Sequence, residues 1–90
     1  MTIETKLLTL FIEEAAECTQ EICKMLHHGI DNVNPVTGVA NLEKLHTEVG
    51  DLLAIIEMSQ DFGLLDPFKL QAAILDKRER LKQWHPDLFR

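Results

Sequence analysis

Apolar residues recur at helical spacing in three stretches of this chain. The first stretch runs from about Thr2 to His28. Its broad apolar face is formed by Leu7, Leu8, Phe11, Ile12, Ala15, Cys18, Ile22, Met25 and Leu26. Gly29 follows directly, and glycine is the residue most often found just past the end of a helix. The pattern therefore predicts a long first helix with one face turned to a core.

The rest of the chain predicts two further helices. Asn41 is a good N-cap for the second helix, which is expected to end near residues 61–62, with Gly63 as its stop. The apolar stripe of this helix is Leu42, Leu45, Val49, Leu52, Leu53 and Ile56. Asp66-Pro67 predicts the start of the third helix, because proline is favoured at the first helical position, and His85-Pro86 predicts its end. The predicted buried face of the third helix is Leu70, Ala73, Ile74, Leu81 and Trp84.

No stretch reads as a convincing strand, so the expected class is all-α. We expect residues 1–90 to form a single domain, since 90 residues suit one small core. Three amphipathic helices cannot fully cover one another's apolar faces. The expected architecture is therefore an antiparallel bundle of three helices that is completed by oligomerisation, with a tetramer favoured over a dimer. Residues 29–40 form a long predicted loop, and long loops in compact domains are often functional.

Charge and composition narrow the classes of function. The formal net charge is −6, from 15 acidic and 9 basic side chains, which argues against general nucleic-acid binding. The longest apolar runs are far below the roughly 20 residues needed to span a bilayer, and the N-terminus lacks the layout of a signal peptide. Cys18 and Cys23 point about 140° apart on a helix, so they are not expected to bridge. A cytoplasmic protein with reduced, buried thiols is expected.

Two acidic pairs are the most informative feature of the sequence. Glu14 and Glu17 lie three residues apart on the first predicted helix, and Glu48 and Asp51 have the same spacing on the second. On an α-helix this spacing corresponds to about 60° of rotation and about 4.5 Å of rise, so both members of a pair face nearly one direction. Antiparallel helices would bring the pairs into one cluster of four carboxylates. Clusters of this kind bind Mg²⁺, which in turn binds phosphates.

The electrostatic cost of such a cluster favours a cation. Two like charges 4 Å apart repel by about 1 kcal/mol in water and about 4 kcal/mol at an effective dielectric of about 20. No obvious basic partner shares a face with either pair, and Lys24 is the nearest candidate. Gly50 lies inside the second pair, where glycine costs about 1 kcal/mol relative to alanine. It indicates either a close approach of helices or room for a ligand. By contrast, we expect ordinary solvated positions for Glu4, Glu13, Glu43, Glu57 and Glu79.

The acidic motifs together resemble those of a known family. Residues 13–17 (EEAAE), followed about thirty residues later by residues 48–51 (EVGD), resemble the E-E-x-x-E … E-x-x-D signature of the all-α nucleoside triphosphate pyrophosphohydrolases. That family includes MazG, the dimeric dUTPases and the dCTP pyrophosphatases. The basic, aromatic-ended segment 77–86 is similar to the last helix of MazG-like proteins. The short form looks most like the small MazG-like proteins of phages and prophages, which would act in the cytoplasm of a bacterial host.

The resemblance implies a reaction and a metal. Glu14, Glu17, Glu48 and Asp51 would hold Mg²⁺, with Mn²⁺ as an alternative ion, and the reaction would be NTP + H₂O → NMP + pyrophosphate. Glu14 is the first choice as the carboxylate that takes the proton from the attacking water, and Glu17 is a close second. The chain has one motif set where full-length MazG has tandem domains, so a second chain is expected to complete the site.

The remaining candidate residues would contact the substrate. Lys77 and Arg80 share one side of the third helix and could contact the β- and γ-phosphates, although cations are favoured near a helix C-terminus in any case. Lys24 and His28, together with His27 and the loop at 31–34, are the candidates for the nucleoside pocket. Surface positions at a helix end remain an alternative for the two histidines.

Two alternative functions stay open on the sequence alone. One is a non-catalytic helical interaction module, such as a phage-encoded regulator that binds a host protein; the acidic surface and incompletely covered apolar faces favour it. The other is a MazG-like hydrolase of a signalling nucleotide such as guanosine tetraphosphate. The base, the sugar and the number of metal ions are not specified by the sequence.

Overall fold

The computed structural model describes residues 1–89 and shows an all-α chain. Its helices are α1 (Ile3–His28), α2 (Asn41–Asp61) and α3 (Pro67–Trp84), and a 3₁₀ turn at Pro86–Leu88 follows α3. Residues 1–89 contain no β-strand; their strand-like pairing is an isolated bridge between Val33 and Ala40 in the α1–α2 loop. The predicted all-α class is confirmed.

Local capping signals fix both ends of α1. The Thr2 side-chain oxygen accepts a hydrogen bond from the Thr5 N–H at 3.1 Å, which satisfies one of the free N–H groups of the first turn. At the other end Gly29 has a φ of 100°, a conformation that favours glycine, and its N–H donates to the Met25 carbonyl at 2.8 Å. The predicted start and stop of the first helix are therefore confirmed.

The starts of α2 and α3 differ in how well the sequence predicts them. Asp66 caps α3 as predicted, since its Oδ1 accepts hydrogen bonds from the N–H groups of Phe68 and Lys69 at 2.8 and 3.0 Å. The prediction that Asn41 caps α2 is wrong. Ala40 holds the N-cap position without a side-chain hydrogen bond, and Asn41 is the first helical residue. The Asn41 side chain is buried, because the loop folds over it.

The loop at 29–40 turns the chain so that α2 returns beside α1 in the opposite direction. Asn34 organises this loop: its side-chain Oδ1 accepts hydrogen bonds from the Val36 and Thr37 N–H groups at 2.8 and 3.2 Å. Its backbone N–H donates to the Val39 carbonyl at 2.9 Å. An asparagine that bonds backbone groups two and three residues ahead is a common turn device. The loop is thus ordered by its own hydrogen bonds and forms one wall of the α1–α2 hairpin.

The core is small and lies along the seam between α1 and α2. Its buried apolar side chains in the described residues are Leu7, Cys18 and Ile55. Ser59 is 1% exposed, and its hydroxyl donates to the Ile55 carbonyl one turn earlier at 2.7 Å. This back-bond satisfies a buried polar group within its own helix. The hairpin, rather than a three-helix core, is therefore the packed unit that positions the acidic pairs.

The third helix does not complete a bundle within one chain. Among the described residues, α3 contributes no buried side chain, and its main packing partner is the 3₁₀ turn that follows it. Ile74 is 51% exposed and Trp84 is 76% exposed. The predicted buried face of the third helix is therefore wrong for the single chain, and the expected bundle, completed by oligomerisation, stays a prediction. The chain is a plate of 41 × 40 × 14 Å.

Large apolar side chains are widely exposed on this plate. Leu26 on α1 and Phe68 on α3 are 82% and 85% exposed, and Leu53 on α2 is 52% exposed. Within residues 1–89, no helix combines the length and the apolar character that a bilayer span requires. The exposed side chains are instead scattered on amphipathic helices. Contacts with further copies of the chain would cover them, and the oligomeric state stays a prediction.

Candidate metal centre

The α1–α2 hairpin brings the two acidic pairs together. Each of Glu14, Glu17, Glu48 and Asp51 offers one carboxylate oxygen, and these four atoms all lie within 4.8 Å of one another. The two members of each pair are three residues apart on their own helix, so both face the seam. The antiparallel course of the helices places the pairs opposite each other. The convergence expected from helical spacing is therefore present in the structure.

The four carboxylates form a gradient from the core to solvent. Glu48 is buried, Glu14 is half-buried, and Glu17 and Asp51 are exposed. This gradient follows from the positions of the residues around the helix axis, since Glu48 borders the apolar stripe of α2 and Asp51 points outward. A site of this kind has a buried floor that fixes two carboxylates and an open rim through which a ligand can enter.

Two carboxylate oxygens at the floor of the cluster are left without partners. Glu14 Oε2 and Glu48 Oε2 are buried and accept no hydrogen bond from any described residue. Buried acceptors are normally satisfied, and an orphaned one is costly. On one Mg²⁺, oxygens on opposite sides are about 4.2 Å apart, because each lies about 2.1 Å from the ion. The 4.8 Å spread is close to that value, so the donor set and its unsatisfied oxygens fit a hard divalent cation.

A basic side chain that the sequence analysis missed partly compensates the cluster. Lys44 Nζ lies 2.7 Å from Glu48 Oε1. The expectation that no basic residue shares a face with the acidic pairs is therefore wrong. Lys44 and Glu48 are four residues apart on α2, and this i,i+4 spacing could have predicted their contact. Lys24, the expected partner, instead lies 3.8 Å from Glu21 Oε2. One lysine against four carboxylates still leaves the cluster strongly negative.

The pKa values of two carboxylates in the cluster are shifted in opposite directions. The close approach of Glu48, followed by the negative charge of Glu14, raises the pKa of Glu17. The hydrogen bond from the Lys44 ammonium lowers the pKa of Glu48, although burial opposes this. The same contact with Glu48 raises the pKa of Lys44. Like charges around Glu17 thus favour its neutral form, while Lys44 keeps Glu48 ionised.

We expect the combined contribution of Glu17 and Glu48 to the stability of the metal-free protein to be greatest in mildly acidic solution, near the ordinary glutamate pKa of 4.5. Above that pH, Glu17 loses its proton more readily in the unfolded chain than in the folded one, so stability falls as the pH rises through its raised pKa. Below that pH, the stabilisation from ionised Glu48 is lost as the pH falls through its lowered pKa. Thermal unfolding in EDTA, from about pH 3 to about pH 7, measures the loss of stability on the acidic and on the alkaline side of this maximum.

Addition of Mg²⁺ is the control for this pH dependence. A cation held by the cluster removes the repulsion that raises the pKa of Glu17, so the decline on the alkaline side should disappear. A melting temperature that climbs steadily from about pH 4.5 to about pH 7 in EDTA would contradict the assigned shifts.

The Cys18 thiol is buried beside the acidic cluster. Burial, and then the negative charge of Glu48, raises the pKa of the Cys18 thiol, so a smaller fraction of it is the reactive thiolate. Cys23 is exposed, although both thiols were expected to be buried. Neither cysteine forms a disulfide within the described residues, in agreement with their divergent directions on α1.

Gly50 faces open space rather than a neighbouring helix. A Cβ placed on Gly50 would meet no described atom within 4 Å. Close helix packing at this position is therefore absent from the single chain. The other interpretation, room for a ligand or for a further chain beside the acidic rim, is compatible with the open space.

Lys24 and His28 lie together near the loop. They line a cavity of ≈ 400 Å³ with Asn32, Asn34, Pro35 and Asn41. Lys24 also lines a second cavity together with Lys44, whose ammonium contacts Glu48. The structure thus places both residues beside the loop that was predicted to be functional, and their contact with a substrate stays a prediction.

Lys77 and Arg80 lie elsewhere, on the exposed surface of α3. Arg80 Nε donates to Asp76 Oδ2 at 2.9 Å in an exposed ion pair. Among residues 1–89, no ion pair joins Lys77 or Arg80 to the four carboxylates. Within a single chain these two cations are therefore not part of the acidic site, and a phosphate-binding role would need α3 of another copy.

Sequence reasoning also missed two buried polar residues near the cluster. Glu21 is 4% exposed and Asn41 is 6% exposed, and both line the cavity next to the acidic pairs. Glu21 lies one helical turn after Glu17, so its face was predictable. The burial of both side chains by the loop was not, because it depends on how residues 34–39 fold back.

Comparison with known proteins gave no assignment: no family model, no curated protein and no solved structure matches this chain. The MazG-like motif resemblance therefore stays a prediction, and the function is inferred from the acidic site.

Proposed function

We propose that this protein is a Mg²⁺-dependent nucleoside triphosphate pyrophosphohydrolase that converts a (d)NTP to the (d)NMP and pyrophosphate. Its strongest support is the convergence of four carboxylates within 4.8 Å, combined with two buried carboxylate oxygens that lack partners. An empty cluster of this charge is costly, whereas a divalent cation satisfies it. The E-E-x-x-E … E-x-x-D resemblance then connects the metal site with this particular reaction.

Glu14, Glu17, Glu48 and Asp51 would hold the metal. When bound, Mg²⁺ would neutralise the triphosphate and acidify the attacking water. Glu48 and Glu14 form the floor and fix the position of the site, because their carboxylates are buried or half-buried. Glu17 is at the open rim and its pKa is raised, which suits a group that accepts a proton from water. Glu14, the first choice on the sequence alone, then becomes the second candidate for the proton acceptor.

The basic side chains would orient the polyphosphate. Lys44 is next to the cluster, with its Nζ 2.7 Å from Glu48 Oε1, and about half of its side chain is exposed to solvent. Lys77 and Arg80 would reach the β- and γ-phosphates from α3 of a second copy. A homo-oligomer, with a tetramer favoured over a dimer, would bring that helix over the acidic rim and cover the exposed apolar side chains. Cytoplasmic location would supply nucleotides and keep the exposed Cys23 thiol reduced.

A non-catalytic interaction module is the second candidate, and a specific observation favours it. Large apolar side chains such as Leu26, Phe68 and Trp84 are more than three-quarters exposed, and exposed apolar patches commonly mark protein–protein contacts. Such a module has no need of a cation. It predicts the same melting temperature with and without Mg²⁺.

A panel of NTPs and dNTPs with Mg²⁺ tests the proposed reaction directly. We expect release of NMP and pyrophosphate, detected by separation of the nucleotide products and by a pyrophosphatase-coupled phosphate assay. Omission of the pyrophosphatase is the control, since it distinguishes pyrophosphate from orthophosphate. Release of NDP and orthophosphate would mean a different phosphoanhydride cleavage, and no turnover of any nucleotide would reject the enzyme in favour of the interaction module.

A further inference from the structure

A cavity of ≈ 220 Å³ lies between α1, α2 and their connecting loop. It is smaller than the roughly 300–1,000 Å³ of pockets that enclose a whole drug-sized ligand, and it therefore suits a single ring system. Its walls come from both helices and from the ordered loop. The lining residues are Glu21, Lys24, Asn34, Thr37, Val39, Asn41 and Lys44.

Two buried polar side chains give this cavity its chemistry. Glu21 is 4% exposed and Asn41 is 6% exposed. The Asn41 side-chain Nδ2 is buried and has no hydrogen-bond partner among the described residues. An unpaired buried donor is costly to the fold, and a buried carboxylate is rare unless it has a partner. The cavity therefore offers one carboxylate acceptor and one unsatisfied amide donor to a ligand.

The separation of the cavity from the acidic cluster is similar to the length of a nucleoside. Glu21 follows Glu17 by four residues on α1, and Asn41 precedes Glu48 by seven residues on α2. These spacings are one and two helical turns, or about 5–11 Å along the helix axes. Both displacements run toward the loop, since the helices are antiparallel. A nucleotide with its phosphates at the carboxylates could thus extend its base into the cavity.

We propose that this cavity binds guanine, with Glu21 and Asn41 as the residues that determine base specificity. The proposal rests on the proposed function, because it takes the acidic cluster as the phosphate end of the same site. The Glu21 carboxylate accepts hydrogen bonds from the guanine N1–H and N2 amine. The Asn41 amide donates to the guanine O6.

Guanine is the base whose edge matches these two groups. A carboxylate has two acceptor oxygens and no donor, and guanine presents two adjacent donors, N1–H and the N2 amine, beside the O6 acceptor. Adenine and cytosine each present one amine next to a ring nitrogen that is an acceptor. One Glu21 oxygen could accept from the amine, but the other would face the lone pair of the ring nitrogen. Uracil and thymine present one N–H between two carbonyl acceptors. Sites with buried polar groups reject ligands that leave those groups unpaired.

The charges in the cavity argue against a second phosphate site. Lys24 Nζ is 3.8 Å from Glu21 Oε2, and Lys44 Nζ is 2.7 Å from Glu48 Oε1. Both lysines therefore already face a carboxylate. The buried Glu21 carboxylate would repel a phosphate that entered the cavity. The donor and acceptor pattern thus favours a neutral base over an anion.

Binding of α,β-methylene triphosphate analogues tests the proposal independently of turnover. The probes are the guanosine, inosine, adenosine, cytidine and uridine analogues with Mg²⁺, measured by isothermal titration calorimetry. We expect the guanosine analogue to bind at least about 10-fold more tightly than the adenosine, cytidine and uridine analogues. Inosine lacks the N2 amine and should be intermediate. Equal binding of all five analogues would overturn the guanine assignment.

Two single substitutions on different helices assign the specificity to the proposed residues. Glu21→Gln replaces one acceptor oxygen with an amide NH₂ group, which would face a guanine donor instead of accepting from it. The ratio of the affinities for the guanosine and inosine analogues should therefore fall to about one. Asn41→Asp replaces the donor to O6 with an acceptor and should weaken guanosine binding about 10-fold or more. Glu57→Gln, at an exposed position on α2, is the matched control and should change neither. An unchanged guanosine-to-inosine ratio in Glu21→Gln, with the helical circular dichroism retained, would reject the role of Glu21.

Parallel turnover assays separate this proposal from the proposed function. Hydrolysis of all bases at equal rates, with equal binding, would leave the pyrophosphohydrolase in place and remove the guanine site. Preferential guanosine binding that depends on Glu21, without hydrolysis of any triphosphate, would keep the guanine site and remove the enzyme.

Discussion

Asp51→Asn is expected to reduce Mg²⁺-dependent pyrophosphate release by about 100-fold or more while the α-helical circular dichroism is retained. Asp51 is at the exposed rim of the cluster, so its replacement removes a metal-binding oxygen and a negative charge without opening a cavity. The neutral amide is a weaker ligand for a hard cation than a carboxylate. The stabilisation by Mg²⁺ should shrink in parallel, because a ligand that binds only the folded state stabilises it by RT ln(1 + [L]/Kd), and the loss of a carboxylate ligand raises the Kd.

Asp61→Asn is the matched control for this substitution. It makes the same chemical change at another exposed position of α2, the last residue of the helix, and away from the cluster. We expect its pyrophosphate release and its Mg²⁺-induced melting shift to equal those of the original chain. Full activity in Asp51→Asn would show that the α2 pair does not hold the metal, whereas equal losses in both variants would indicate a general effect of net charge.

The helix boundaries were predictable because the signals that set them are local. Asp66-Pro67 caps and starts α3 through two backbone hydrogen bonds within its own first turn, and Gly29 ends α1 through its own positive φ. Asn41 shows where such reasoning fails. It has the side chain of a good N-cap, but the loop hydrogen bonds, including that of the Asn41 N–H to the Asn32 carbonyl at 2.9 Å, draw it into the helix and bury it.

The burial of α3 could not be read from its amphipathic pattern. Periodicity identifies which side of a helix is apolar, but not what covers that side. In the single chain the apolar side of α3, including Ile74 and Trp84, stays exposed, and α1 and α2 pack mainly against each other. The same pattern would look identical if a second chain covered it. The tertiary arrangement of α3 therefore depends on contacts that one sequence does not specify.

The acidic site was more predictable than the cavity beside it. Helical spacing alone places Glu14 with Glu17 and Glu48 with Asp51, and a hairpin then suffices to bring the pairs together. Lys44 was accessible to the same reasoning, since it is four residues before Glu48 on α2. The burial of Glu21, in contrast, requires the loop at 34–39 to fold over α1. The Asn34 hydrogen bonds that order this loop do not produce a repeating pattern in the sequence, so they could not be predicted from periodicity.

Glu17→Gln is expected to change stability in opposite directions with and without metal. In EDTA near neutral pH the variant should melt a few degrees higher than the original chain, because it removes the carboxylate whose pKa is raised by Glu48 and by Glu14. Its amide can also donate a hydrogen bond toward Glu48. With saturating Mg²⁺ the variant should gain less stability, since it has lost a metal-binding oxygen. Differential scanning fluorimetry in EDTA and in a Mg²⁺ series measures both effects.

Glu13→Gln is the control that isolates the cluster from net charge. Glu13 is exposed on α1, and its replacement changes the formal charge of −6 by the same one unit. We expect it to leave both the metal-free melting temperature and the Mg²⁺ gain nearly unchanged. The advantage of Glu17→Gln in EDTA should also shrink as the pH falls through the raised pKa of Glu17, because Glu17 of the original chain then takes up its proton. A lower metal-free melting temperature for Glu17→Gln would show that repulsion does not dominate at Glu17. An unchanged Mg²⁺ gain would remove Glu17 from the metal site, leaving the ion to the buried Glu48 and its remaining neighbours.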